Sequence, residues 1–281
     1  MTHSAFQPNA VAVITGGASG IGLATAQRLA AMGLRLVIDD VREALMEPPA
    51  EQLRQLGAPE VMASSTDVSD REALVELETL VAERFGGTDI LMNNAGIQPG
   101  SSLLDDPENW LHILGVNLGG IVYGTQVFVP RMIERGRPGL VINTGSKQGI
   151  TTPPGDPAYN VSKSGVKTFT EALAHELRNT EGHQLTAHLL IPGFVFTDLT
   201  RGSRTEKPAG AWTPEQTAEF LFQSVERGEF YILCPDNDVS RELDEKRMAW
   251  AIGDIIENRP PLSRWHPDYT ESFNLLSLIH I

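Results

Sequence analysis

Tyr159 and Lys163 stand four residues apart in the run Tyr159-Asn160-Val161-Ser162-Lys163, and on a helix that spacing puts the phenol and the ammonium on one face. A free tyrosine ionises near about pH 10, and a cation beside it favours the phenolate, so the pair suits proton transfer to or from a substrate oxygen. Ser146, thirteen residues upstream, adds a hydroxyl that can hold that oxygen. The segment Thr15-Gly16-Gly17-Ala18-Ser19-Gly20-Ile21-Gly22 offers a place for a dinucleotide, because glycines permit a tight turn and a close backbone approach to a pyrophosphate. Each feature alone has a plainer explanation. A Tyr-x-x-x-Lys pair often lies on an amphipathic helix with its lysine reaching for water, and a glycine-rich stretch is more often an ordinary turn. Order and company change that balance.

The elements that must position these groups alternate along the chain. Strands are predicted at 10–14, 34–39, 60–64, 90–93, 139–143, 185–191 and 230–234, with helices at 20–32, 41–56, 70–85, 107–135, 157–180 and 213–227. Such alternation means βαβ crossovers and a parallel sheet. Strands as uniformly apolar as Val11-Ala12-Val13-Ile14 are expected when helices cover both faces. The fold expected is therefore α/β, a single doubly wound Rossmann-like domain with about seven parallel strands over 1–238. Residues 239–281 read as a helical and aromatic extension on the same domain.

The first strand runs directly into the glycine turn and then a helix, whose N-terminus presents unpaired N–H groups to a phosphate. The second strand ends at Asp39-Asp40, where an acid can accept both ribose hydroxyls of an adenosine and repel a 2′-phosphate. That favours NAD over NADP, with Arg42 the nearby cation that weighs the other way. Asp67 is balanced between reaching an adenine edge and acting as a cap before the next helix.

Composition removes several alternatives. The 281 residues carry 22 Lys plus Arg against 36 Asp plus Glu, a formal charge of −14, which argues against nucleic acid or an anionic membrane as partner. No basic segment followed by an apolar run opens the chain, so a cytoplasmic protein is expected. The single cysteine, Cys234, and seven scattered histidines give no metal-ligand spacing, and Cys234 reads as a small buried hydrophobe.

Over residues 10–197 the chain resembles the short-chain dehydrogenase/reductase family. Thr15-Gly16-x-x-x-Gly20-x-Gly22, with Ser19 and Ile21 inside it, matches the family's cofactor turn, and aligning it puts Asp40 on the acid that selects NAD. Asp67-Val68 matches the adenine contact, Asn93-Asn94-Ala95-Gly96 the ribose-lining segment, and Pro192-Gly193-x-x-x-Thr197, containing Val195, the segment that holds the nicotinamide carboxamide. Asn117, Ser146, Tyr159 and Lys163 fall on the catalytic tetrad. The resemblance implies a Tyr159 acid/base, a Lys163 that also bonds the nicotinamide ribose, and an Asn117 anchoring a proton-relay water. The glycine spacing departs from that of the nucleotide-sugar epimerase and dehydratase members.

What is expected is an oxidoreductase moving a hydride between NAD(H) and a secondary alcohol or ketone. An NADP-dependent carbonyl reductase and a non-catalytic dinucleotide-binding regulator are the alternatives. For substrate, strand alternation past Gly145 would put Gln148 on the side of Ser146, and Phe194 follows another strand, so both join Ser146 and Tyr159 as pocket candidates. Ile97, Gln98, Pro153, Pro154, Leu199 and Trp212 lie on similar loops. Lys147, in a position where the family mostly has small or apolar residues, is expected to pair with a surface acid. The tail lacks the family's usual Asp-Gly-Gly close, and the apolar excess of the 107 and 157 helices points to a homodimer or homotetramer.

Overall fold

The computed structural model describes residues 3–278. Seven apolar runs form β1 (Val11–Thr15), β2 (Arg35–Asp39), β3 (Val61–Ser64), β4 (Ile90–Asn93), β5 (Pro138–Thr144), β6 (Gln184–Ile191) and β7 (Tyr231–Leu233). They pair in parallel in the order β3-β2-β1-β4-β5-β6-β7. The order reverses at β1, which lies between β2 and β4, and the crevice beyond the carboxyl ends there is where such sheets take ligands.

Helices cover both faces: α1 (Gly20–Ala31), α2 (Glu47–Gln55), α3 (Arg71–Phe85), α4 (Pro107–Leu114), α5 (Gly120–Arg135), α6 (Gln148–Thr151), α7 (Pro157–Asn179), α8 (Asp198–Arg201), α9 (Pro214–Glu226), α10 (Arg241–Ile256) and α11 (Thr270–Leu278). Side chains alternate along each strand. Ala12, Ile14, Leu36 and Ile38 join Leu29 of α1 and Leu221 of α9 in one core layer, whereas Val11, Val13, Val37 and Leu91 join Leu77 of α3 and Phe128 of α5 in the other. Cys234 is buried and unpaired.

Three stretches differ from the pattern read in the sequence. The helix predicted at 41–56 divides into a 3₁₀ turn (Glu43–Leu45) and α2, whose Pro48 and Pro49 suit a first turn because they lack an N–H that would go unbonded there. The helix predicted at 107–135 is interrupted by a π turn at Gly115–Gly119 that holds Asn117. Its run is long and apolar enough to resemble a membrane span, yet half of the apolar window is buried in the fold, as in a core helix. The short helices α6 and α8 carry too few residues for a periodic signal. In the tail, α10 fulfils the helix pattern past 239, followed by two 3₁₀ turns and α11, and residues 279–281 of the closing apolar run lie outside the described residues.

Candidate active site

Helix α7 starts with Pro157 at its first position, and Ser101 ties down its entry by accepting the Ala158 N–H and donating to Asp156 Oδ1. Its buried positions include Tyr159, Ser162, Lys163, Val166 and Thr170, a helical stripe that turns phenol and ammonium toward the ends of β4 and β5. Tyr159 is 6% exposed and Lys163 3%. The Lys163 ammonium lies 5.7 Å from the Tyr159 ring centre and donates to the Thr144 carbonyl at 2.9 Å. Ser146 follows β5 on a loop pinned to β6, where Gly145 N–H donates to Leu190 and Lys147 N–H to Pro192.

Burial reverses one expectation. Desolvation pushes the Tyr159 phenol up to about 12, against the opposing pull of the Ser146 hydroxyl and with help from the Asp156 charge, rather than letting Lys163 bring it toward neutrality. The same desolvation brings Lys163 down to about 8. At neutral pH the pair is a protonated phenol beside a weakly acidic ammonium, an arrangement ready to give a proton.

Asn117 does not line the cleft, and it contacts the site through a clamp. Its Oδ1 accepts the Ile97 N–H at 2.8 Å and its Nδ2 donates to the Ile97 carbonyl at 2.9 Å, with Ser162 Oγ at 3.3 Å. Fully buried in a π turn, it holds the loop after β4 against α7. Beneath it, Asn93 donates to Asn143 and Thr125, and Asn143 donates to Thr170. These bonds tie β4 and β5 to α5 and α7 in the interior.

A cleft of about 460 Å³ runs from Tyr159 to the end of β2. It gathers the predicted residues Gly16, Ser19, Gly20, Ile21, Asp40, Asp67, Val68, Asn94, Ala95, Gly96, Pro192, Gly193, Val195 and Thr197 with Ser146, Tyr159 and Lys163. Gly22 supports the turn from outside the lining. The cradle fits a dinucleotide. Gly16 has φ +64°, and a Cβ on it would lie 2.9 Å from the Ala95 Cα, so both the turn and the approach of the two loops require its lack of a side chain. Ser19 precedes α1 with extended backbone and leaves the helix N-terminus without a side-chain cap, so those N–H groups face the cleft free for phosphate. Asn94 stitches the floor by donating to the Thr15 and Gly16 carbonyls and accepting from Thr144.

The adenosine end is more charged than the sequence reading drew it. Asp40 is gripped by Arg42, whose Nε lies 2.9 Å from Oδ1 and Nη2 3.0 Å from Oδ2, while Nη2 also donates to Ser19 Oγ at 2.9 Å. The same guanidinium lies 3.8 Å from Asp198 on α8, across the cleft mouth. Asp39 is fully buried without a well-aligned donor, and desolvation, with help from the Asp40 charge, raises its carboxyl to about 7 although Thr66 and Ser64 pull it downward. Asp67 accepts from the N–H and hydroxyl of Ser69, forming a local turn while lining the cleft; the cap of α3 is Asp70.

Three expectations are corrected. Gln148 opens α6, because the backbone turns helical at Lys147 (φ −55°, ψ −30°) and strand alternation ends, so Gln148 is absent from the cleft lining. Phe194 is also outside that lining, with its ring 5.9 Å from the Arg204 guanidinium. Lys147 does pair with acids, but inside the protein, on Asp236 and Asp244. Of the other loop candidates, Ile97 and Leu199 line the cleft, Trp212 leans on the core, and Pro153 and Pro154 border a second cavity. Sequence reasoning missed His112, Val116 and Thr200 in the cleft lining, and the four-residue spacing of His112 and Val116, the latter directly before Asn117, was the available signal.

Comparison with known proteins follows the same lines. A family model described as short chain dehydrogenase matches residues 10–208. The 1-deoxy-11-beta-hydroxypentalenate dehydrogenase of Streptomyces exfoliatus is 31% identical over 260 residues, covering 90% of this chain and 93% of that protein. D-beta-hydroxybutyrate dehydrogenase of Rhizobium meliloti is 33% identical over 195 residues, 67% of this chain and 72% of that one. Among solved structures, a short chain dehydrogenase/reductase from Burkholderia phymatum in complex with NAD superposes with a TM-score of 0.82 at 31% identity, covering 92% and 97% of the two chains.

Proposed function

The chain belongs to the short chain dehydrogenase family, and from that premise we propose that it is an NAD(H)-dependent oxidoreductase of a secondary alcohol or its ketone, with Tyr159 as acid/base. The observation that carries the proposal is the buried Tyr159–Lys163 pair beside Ser146 at the end of a cleft whose far end is Asp40. When bound, the nicotinamide supplies or accepts the hydride. The residues do the rest. Ser146 holds the substrate oxygen, Tyr159 gives its proton to that oxygen in reduction and takes it back in oxidation, and Lys163 steadies the phenolate formed. Because the phenol sits at about 12, reduction is favoured near neutral pH and oxidation gains as pH rises.

A second reading has its own observation. Arg42 already neutralises Asp40 and reaches Ser19, so the guanidinium is placed to receive a 2′-phosphate, as an NADP-dependent reductase requires. The proposal keeps the protein cytoplasmic, with residues 239–281 as an extension of the catalytic domain. It is a homodimer formed through the helical stretches 107–135 and 157–180, on which Leu111 and Val161 stand exposed. A panel of secondary alcohols offered with NAD and with NADP, read as reduced-cofactor absorbance, tests the function. Tyr159→Phe is expected to cost roughly 10²- to 10⁴-fold in turnover, with NAD affinity within a few-fold; turnover equal to the parent protein would falsify the mechanism.

A further inference from the structure

Lys147, the residue after Ser146, is held from both sides by acids of the C-terminal segment. Its ammonium lies 2.5 Å from Asp244 Oδ2 on α10 and 3.5 Å from Asp236 Oδ2, in the loop between β7 and α10. All three side chains are largely out of water, at 15%, 6% and 6% exposure. Burying three charges together is costly unless each is answered, and replacing such clusters by apolar groups is often neutral or stabilising, so the cluster asks for a reason beyond stability.

The bonds around it supply one. Asp236 Oδ2 also accepts the backbone N–H of Phe194 at 3.2 Å, and its Oδ1 accepts those of Asp238 and Val239. The backbone N–H of Lys147 donates to the Pro192 carbonyl at 3.1 Å. Gly193 is enclosed between the partners, where a Cβ would lie 2.5 Å from Asp236 Oδ2 and 2.9 Å from Lys147 Nζ. Three segments therefore meet here: the loop of Ser146, the loop from Pro192 to Thr197, and α10. None of the three charged residues lines the cleft, so each would act through its neighbours. Burial, with the nearby Asp236 charge, raises the Asp244 carboxyl above its usual range, and Lys147 and Arg247 of α10 offset only part of that rise.

We propose that Lys147, Asp236 and Asp244 form a positioning triad through which the C-terminal helix fixes the Ser146 hydroxyl and the Pro192-to-Thr197 loop. The tail, which lies beyond the 10–208 span of the family match, is then part of the working site. This rests on the reading of Ser146 as the group that holds the substrate oxygen, and the test keeps the two apart.

Hydrogen exchange is measured first on the dinucleotide-free full chain, for the parent protein, Asp244→Asn and Lys147→Met. The amides of Lys147 and Phe194 are expected to exchange at least about tenfold faster in both variants, with those of β4 and β5 unchanged, because local opening needs only the local bonds. Turnover is then followed with the best secondary alcohol of the panel. Each variant is expected to lower kcat about tenfold with NADH affinity, read by fluorescence, within about twofold, and Lys147→Arg restores most of the loss. In a Ser146→Ala background the same substitutions are expected to cost little more, since residues acting through one group are not additive. Unchanged protection at Lys147 and Phe194, equal loosening of the whole sheet, or losses that add fully to that of Ser146→Ala would each overturn the triad. Full turnover in Ser146→Ala alone would instead overturn the reading of the site, and the exchange result would still judge the triad.

Discussion

At the catalytic end of the cleft Lys163 is buried and answered by a carbonyl oxygen, whereas at the adenosine end Asp40 is paired with the half-exposed guanidinium of Arg42 beside a buried, unanswered Asp39. The first end is built by backbone. Its polar groups are fixed by the Ile97 clamp, the Asn93–Asn143 bonds and the β5–β6 loop bonds, so the side chains have little choice of geometry. The second end is built by charge balance, in which Arg42 can exchange Asp40, Ser19 and Asp198 for other partners. The contrast teaches that the Tyr159–Lys163 end is shielded from surface conditions, while the Arg42 end is open to them.

The sharpest break in that contrast is Lys163→Met. It removes a cation whose burial is met by one carbonyl, so melting temperature should hold or rise, since an apolar chain needs no such compensation. Turnover should nevertheless fall by roughly 10²- to 10⁴-fold, as expected when a positioned proton-transfer pair is broken. Thermal melting and steady-state kinetics on the same preparation check both halves. A variant that loses stability in step with activity would place Lys163 in the framework instead.

Asp39 offers the next largest effect, at the other end. Its carboxyl titrates near about 7 in the folded protein against 3.8 when free, so between these values the folded state holds more protons than the unfolded one. The sign follows: this group's favourable share of stability is complete below about pH 4 and is lost as pH rises through about 7. Asp39→Asn removes the slope. It should melt higher than the parent at pH 8 by an amount worth a few kcal/mol at most, with the gap closing toward pH 4. A gap independent of pH would mean that Asp39 is stabilised by contacts rather than penalised by burial.

The two ends also differ in how far a sequence reveals them. The glycine turn, the Tyr159–Lys163 stripe and the uniformly apolar strands are local patterns, and local backbone rules turn each into one geometry. Most residues that line the cleft were legible for that reason. Gln148 was misplaced because a single residue, Lys147, leaves the extended region and resets the direction of all that follow. Lys147 itself was misread because one partner lies 89 residues further on, in a tail whose fold no local pattern attaches to the sheet. The π turn at Asn117 hid inside a helical period it barely disturbs.

The smallest effect tests the charge-built end directly. Arg42 is 41% exposed, so its pair with Asp40 is worth little to folding and should matter mainly for which dinucleotide the site prefers. With Arg42→Ala, Asp40 is freed to accept ribose hydroxyls, and NADH affinity should stay within about threefold while NADPH affinity falls about tenfold, equal to about 1.4 kcal/mol. Asp40→Ala should do the reverse, leaving Arg42 unpaired and drawing NADPH in. Fluorescence titrations with both cofactors at low and high salt read the ratio, and the NADPH arm should weaken with salt because a half-exposed guanidinium is screened. If neither substitution moves the ratio, Arg42 is only a surface partner of Asp40, and selectivity lies with the carboxylate's shape at the end of β2 rather than with the balance of charge around it.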